Sequence, residues 1–143
     1  MKWSVRVLSV IAAIGMLALP VAASASVLAK VDISSQRMNV YVDGELAYSW
    51  AISSARKGYH TPRGSYRPTV LRRMHYSRKY DNSPMPHSVF FRGGYAIHGT
   101  GYVKQLGRPA SHGCIRLHPS NAAKLFSLIK TYGAAKTRIV IQN

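Results

Sequence analysis

Hydrophobic and polar residues alternate twice in quick succession between Gln36 and Ser53. In RMNVYV the apolar positions are Met38, Val40 and Val42, and in ELAYSWAIS they are Leu46, Tyr48, Trp50 and Ile52. A period of two is that of a strand with one buried face, and the intervening Asp43-Gly44 is a two-residue turn of the kind that joins paired strands. The segment is predicted as a β-hairpin. Further short strands are predicted at residues 27–33, 65–71, 88–91, 95–98, 114–117 and 137–141. One stretch changes period: PSNAAKLFSLIKTYG, beginning at Pro119, sets Ala122, Leu125, Phe126 and Ile129 at helical spacing, with Pro119 in the first turn, Lys130 near the end and Gly133 as the stop. The fold class is therefore mostly β with one main α-helix, whose apolar face packs on the sheet. Residues 72–87, RRMHYSRKYDNSPMPH, are polar, basic and interrupted by Pro84 and Pro86, which predicts a long loop of the kind that covers a site.

The first residues follow a different logic. Lys2 and Arg6 precede an uncharged apolar run from Val7 to Val21, and Ala23-Ser24-Ala25 forms a small-residue cleavage site. An apolar run of about 15 residues is short for a membrane span, which needs roughly 20, so residues 1–25 are predicted to be a secretory signal peptide. Residues 26–143 then form one exported domain, in the periplasm or cell envelope, large enough for its own core.

Charge narrows the partners. The chain carries 20 Lys and Arg against 4 Asp and Glu, and without Lys2 and Arg6 the remainder keeps a net charge of +14. Such a surface attracts anions, and export favours cell-wall polymer or a membrane surface over nucleic acid.

Cysteine usage changes the picture more. The chain has a single cysteine, Cys114, in SHGCIRLHP, with His112 two places before it and His118 four places after. Small exported domains use cysteines in pairs as staples, so an unpaired one is buried and inert, bridged to another chain, or chemically employed. A nucleophilic thiol needs an imidazole to take its proton and to support the thiolate, with that ring oriented by a further acceptor. Both His98, in YAIHGTG, and His112 qualify. If Cys114 lies on a strand, His112 projects from the same face, whereas His98 must come from a neighbouring strand. Gly113 lets the backbone turn its N–H groups toward a developing oxyanion. The rival chemistry is zinc on His98, His112, Cys114 and His118, but the spacing matches no familiar zinc pattern. His118 also suits a helix start, and His60, His75 and His87 read as loop residues.

Taken together, HGT, fourteen residues from His98 to His112, and then SHGCIRL closely resemble the catalytic signature of the L,D-transpeptidases, bacterial enzymes that cross-link or modify peptidoglycan. TPRGSY, from Thr61, and SPMPHSVFFRGGYAIHG, from Ser83, resemble that family's approach to the site, and the likeness runs from about Val27 to Ile141. The resemblance implies a β-sandwich or barrel-like domain. It implies Cys114 as nucleophile, His98 as base and the Gly99 carbonyl as the acceptor orienting it. His112, Gly113 and Cys114 would build the oxyanion pocket and its support, Ser111 fills the motif's Ser/Thr position, and Arg116 would help arrange the site or the substrate. One departure is visible: many members carry an Asn two residues after the Leu or Met that follows the Arg, where this chain has His118-Pro119 and then Asn121.

The chemistry so implied is attack on the bond between the L-centre of a diamino acid and the terminal D-alanine of a tetrapeptide stem. A thioester forms and an amine resolves it. The acceptor is a second stem, a free D-amino acid or an outer-membrane protein; water would make the enzyme an L,D-carboxypeptidase. No metal or organic cofactor is required, and carbapenem-type β-lactams are expected to acylate the thiol. The alternative in a different class is a non-catalytic cationic wall-binding protein.

Overall fold

The computed structural model describes residues 26–143 and, ahead of them, Gly15 alone, so the predicted signal peptide falls outside the described residues apart from that glycine. In chain order the elements are β1 (Val27–Asp32), β2 (Arg37–Val42), β3 (Glu45–Ala51), β4 (Gly64–Tyr66), β5 (Val70–Ser77), β6 (Ser83–Arg92), β7 (Tyr95–Gly99), β8 (Ile115–Leu117), α1 (Pro119–Tyr132) and β9 (Thr137–Gln142). They form a five-stranded sheet in the order β3-β2-β1-β9-β4 and a four-stranded sheet in the order β5-β6-β7-β8. The mostly β class with one main helix is what the hydrophobic pattern predicts.

The β2–β3 hairpin turns at Asp43 and Gly44, with φ of 52° and 82°. Two successive positive φ values give the turn whose twist matches paired strands, and Gly44 adopts its value without a Cβ penalty. The alternation is correct from Met38 to Val40 and from Tyr48 to Ile52 but breaks at the turn end. Tyr41 pairs with Leu46 while Val40 pairs with Tyr48, so Ala47 is an extra residue on β3. That bulge turns Leu46 to solvent, where it is 56% exposed, against the expectation that it belongs to the inward face.

The predicted strand at 65–71 is two strands in two sheets. Gly64–Tyr66 pairs with β9, and the next strand starts at Val70 and pairs with β6. The predicted loop at 72–87 is also corrected: its residues are the arms of a β5–β6 hairpin, joined by a short 3₁₀ turn at Arg78–Tyr80. The prolines misled because they usually exclude a strand interior. Here β7 pairs with β6 only between Val89 and Arg92, leaving the Ser83–Ser88 half bonded to β5 alone. Prolines two residues apart put both missing donors on the same edge, and this half has an edge with no strand to serve.

α1 starts with His118 as its N-cap, the side chain accepting from the Ser120 N–H, and stops at Gly133, whose N–H bonds the Ile129 carbonyl at 2.8 Å. Ala122, Leu125, Phe126 and Ile129 are buried, mainly against β6 and β7. They join Val27, Val31, Met38, Val40, Ile97, Ile115, Leu117, Ile139 and Ile141 in one core that draws on both sheets. Each such side chain contributes about 1.5–3 kcal/mol of burial.

Candidate active site

β7 and β8 run parallel, with Ile97 opposite Ile115 and His98 opposite Arg116. Side chains alternate across a strand, so Ile97, Ile115 and Leu117 fill the core while His98 and Arg116 share the other face. Cys114 precedes β8 by one residue and packs with Ala96, Met85 and Phe90 on that same outer face. His98 and Cys114 are thus diagonal neighbours on adjacent parallel strands, placed there by the register that buries the isoleucines. They line one cavity of about 1160 Å³, with Arg116 beside them.

His98 is 7% exposed, and its Nδ1 lies 2.7 Å from the Gly99 carbonyl. A carbonyl only accepts, so Nδ1 carries the hydrogen and Nε2 keeps its lone pair. Burial, reinforced by the nearby Arg116 and His75 charges and opposed by the Gly99 bond, lowers the His98 pKa to about 4. Burial also pushes the Cys114 thiol up, against the opposing influence of an Ala96 backbone contact and the Arg116 charge. The sequence suggests an imidazolium supporting a thiolate; burial instead holds the two as a neutral thiol and a neutral imidazole. The thiol sulfur sits 3.8 Å from the Gly94 carbonyl.

The turn before the thiol decides where His112 goes. Gly113 has φ of +144°, and a Cβ there would lie 2.6 Å from the Tyr95 ring and 2.9 Å from the His60 carbonyl, so only glycine fits. The strand therefore does not run back through His112. Its ring instead stacks on Tyr80, 4.0 Å between centroids, with the Tyr59 ring edge-on at 4.8 Å and Arg56 Nη2 3.0 Å from its Nε2. Ser111 holds the turn together: its hydroxyl donates to the Cys114 carbonyl at 2.6 Å and accepts the Gly113 N–H at 3.0 Å. That N–H is consequently committed within the turn, and Gly113 serves the site by its shape. Thr61, from the TPRGSY stretch, donates to the Gly113 carbonyl at 2.8 Å.

Arg116 is half-buried, donating to Gln105 Oε1 at 3.3 Å and to the Ala110 carbonyl at 3.4 Å. Its backbone exchanges hydrogen bonds of 2.9 and 3.0 Å with Ser53, which ties the end of the first sheet to the second. His118 caps α1 and His87 packs edge-on to Phe126, away from the thiol's group, whereas His60 and His75 join the cavity wall although sequence reading left them as loop residues. Arg56, Tyr59, Tyr80, Tyr102 and Gln105 also line it and carry no signal in sequence. Among the described residues, no cluster of three or more His, Cys, Asp and Glu is arranged to hold a metal.

Solved structures share this arrangement of two sheets and a helix. An L,D-transpeptidase from Mycobacterium smegmatis aligns with a TM-score of 0.74 and 26% identity, over 83% of this chain and 59% of that one. The L,D-transpeptidase of Xylanimonas cellulosilytica aligns at 0.69 and 26%, over 85% of this chain and 62% of its own. L,D-transpeptidase 3 of Mycobacterium tuberculosis, in complex with a faropenem-derived adduct, has the same fold at 0.70 and 20%, over 83% and 61%. The chain thus spans about three fifths of the length of the structures it matches. No curated protein matches it. The fold is that of an L,D-transpeptidase. Residues 26–141 match the L,D-transpeptidase catalytic domain (YkuD) family, and the chain belongs to that family.

Proposed function

We propose that the protein is an exported, cysteine-dependent L,D-transpeptidase acting on peptidoglycan stem peptides in the periplasm or cell envelope. The observation that carries this reading is the placement of Cys114 and His98 on one face of adjacent strands, lining one cavity, with the Gly99 carbonyl fixing the His98 tautomer.

Neutral partners define the order of events. His98 Nε2 takes the proton from Cys114 Sγ as the sulfur attacks the carbonyl between the diamino acid's L-centre and D-alanine. Sulfur–carbon bond formation places negative charge on the carbonyl oxygen, to which the Cys114 N–H donates. The carbon–nitrogen bond then breaks, His98 returns the proton to the departing D-alanine amine, and a thioester remains. An acceptor amine attacks the thioester, His98 takes its proton, the sulfur–carbon bond breaks, and the proton goes back to Cys114. Arg116, pinned beside the pair, holds an anionic part of the stem near the thiol. β-Lactams acylate the same sulfur, consistent with the faropenem-derived adduct of the M. tuberculosis relative.

Incubation with defined tetrapeptide muropeptides, followed by mass spectrometry of products and protein, tests the reading. The expected result is loss of D-alanine with a transient acyl mass on the protein, and Cys114→Ser lowering turnover by about a thousandfold or more, because a hydroxyl is far harder to deprotonate than a thiol. Undiminished turnover in Cys114→Ser overturns the assignment.

A further inference from the structure

The His112 ring has a single consistent protonation state. Its Nε2 lies 3.0 Å from Arg56 Nη2, and a guanidinium only donates, so Nε2 must offer a lone pair. A neutral ring with a lone pair on Nε2 carries its hydrogen on Nδ1. The ring so defined is where three stretches of chain meet. Tyr80, from the turn at the tip of the β5–β6 hairpin, lies almost parallel to it at 8°. Tyr59, from the segment after β3, meets it at 71°, and the Arg56 guanidinium covers the Tyr59 ring at 4.9 Å.

We propose that Arg56 is a positioning residue that fixes His112 as the neutral, Nδ1-protonated tautomer, and that the ring so held is the seat on which Tyr80 clamps the hairpin tip over the Cys114 cavity. The clamp is sensitive to protons. A proton on Nε2 removes the acceptor for Arg56 and creates a cation in a basic setting. Lining the cavity with the ring are Arg56, Tyr59 and His60 from the segment after β3, Arg78, Lys79 and Tyr80 from the hairpin tip, and Cys114 and Arg116 from beyond the turn that carries His112; the charges that bear on the ring are those of Arg56, Arg116 and Lys79. Among the described residues, none that lines the cavity is acidic. Burial first, and then the Arg56, Arg116 and Lys79 charges, hold the His112 imidazole below its ordinary range, so the clamp is closed at neutral pH and released by acid. The inference rests on the proposed function only for what the cavity is used for.

Two readouts test it without requiring turnover. In the full chain labelled with ¹⁵N-histidine, with His112→Gln assigning the signals, His112 should show a pyridine-type Nε2 and a pyrrole-type Nδ1 at pH 7. Arg56→Met should shift it toward the Nε2–H form, and Arg56→Lys, which keeps a donor and a charge, should restore it. Access to Cys114 is read as the alkylation rate by a bulky maleimide divided by that of iodoacetamide. Tyr80→Ala and Arg56→Met should raise this ratio about three- to tenfold, the range expected for losing one aromatic pair, while Tyr80→Phe should leave it unchanged. Arg56 is exposed and Tyr80 is only partly buried, so these variants keep the fold. A wild-type His112 found as the Nε2–H tautomer, or an Arg56→Met variant with tautomer and ratio both unchanged, overturns the proposal. Failure of stem-peptide transfer with the tautomer intact overturns the proposed function instead.

Discussion

In the proposed mechanism, His98 ties function and stability to the same proton. Its folded pKa of about 4 lies below the ordinary 6.5, so between those values the unfolded chain binds a proton that the folded chain excludes. Stability linked to His98 is therefore complete above about pH 6.5 and is lost as pH falls toward 4, amounting to about 3 kcal/mol over the window. Urea unfolding at pH 4.5 and pH 7 should show this difference, and His98→Gln should flatten it; an equal pH slope in that variant would place the effect elsewhere. The activity profile should follow the same group, with an acid limb near pH 4 instead of near the usual histidine value. At this scale the sequence carried much of the site. SHGC and HGT marked the thiol, the two imidazoles and the Gly99 carbonyl. Spacing left open which ring faces the sulfur, because that depends on the +144° φ of Gly113. Arg56 and Tyr80 were invisible, since nothing local marks a residue whose partner is 56 or 32 positions away.

Elements were legible where one face meets the core and the other meets water. β2, β3 and α1 read correctly for that reason, and the α1 stripe makes a direct test. Leu125 is fully buried, so Leu125→Ala should cost about 2–5 kcal/mol in chemical denaturation, whereas Lys124→Ala on the opposite face should fall within about 0.5 kcal/mol. Similar losses in both would mean that the helix is not docked as described. The β5–β6 hairpin was illegible because it has no single buried face over most of its length: Arg72, Arg73, Met74 and Tyr76 are all exposed, and the prolines serve an unpaired edge. Its strands are set by pairing with each other and by the tip's contact with His112, neither of which leaves a periodic trace.

For the whole molecule, the surplus of cations outlasts any single contact. Binding of the purified chain to isolated sacculi should weaken severalfold between about 50 and 500 mM salt, as the Debye length shrinks; retention that ignores salt would mean that recognition is not driven by charge. The parallel pairing of β1 with β9 has a different bearing. It sets Val27 beside Thr137 and Asp32 beside Gln142, and among the described residues β9 is also the only strand paired with β4. β1 therefore gains its second neighbour, and β4 its pairing, only when β9 docks. Closing so large a loop is entropically slow, so in a folding chain β1 waits with an open edge until β9 arrives. Folding thus carries a late step in which one strand joins the hairpin side of the first sheet to β4 and closes that sheet.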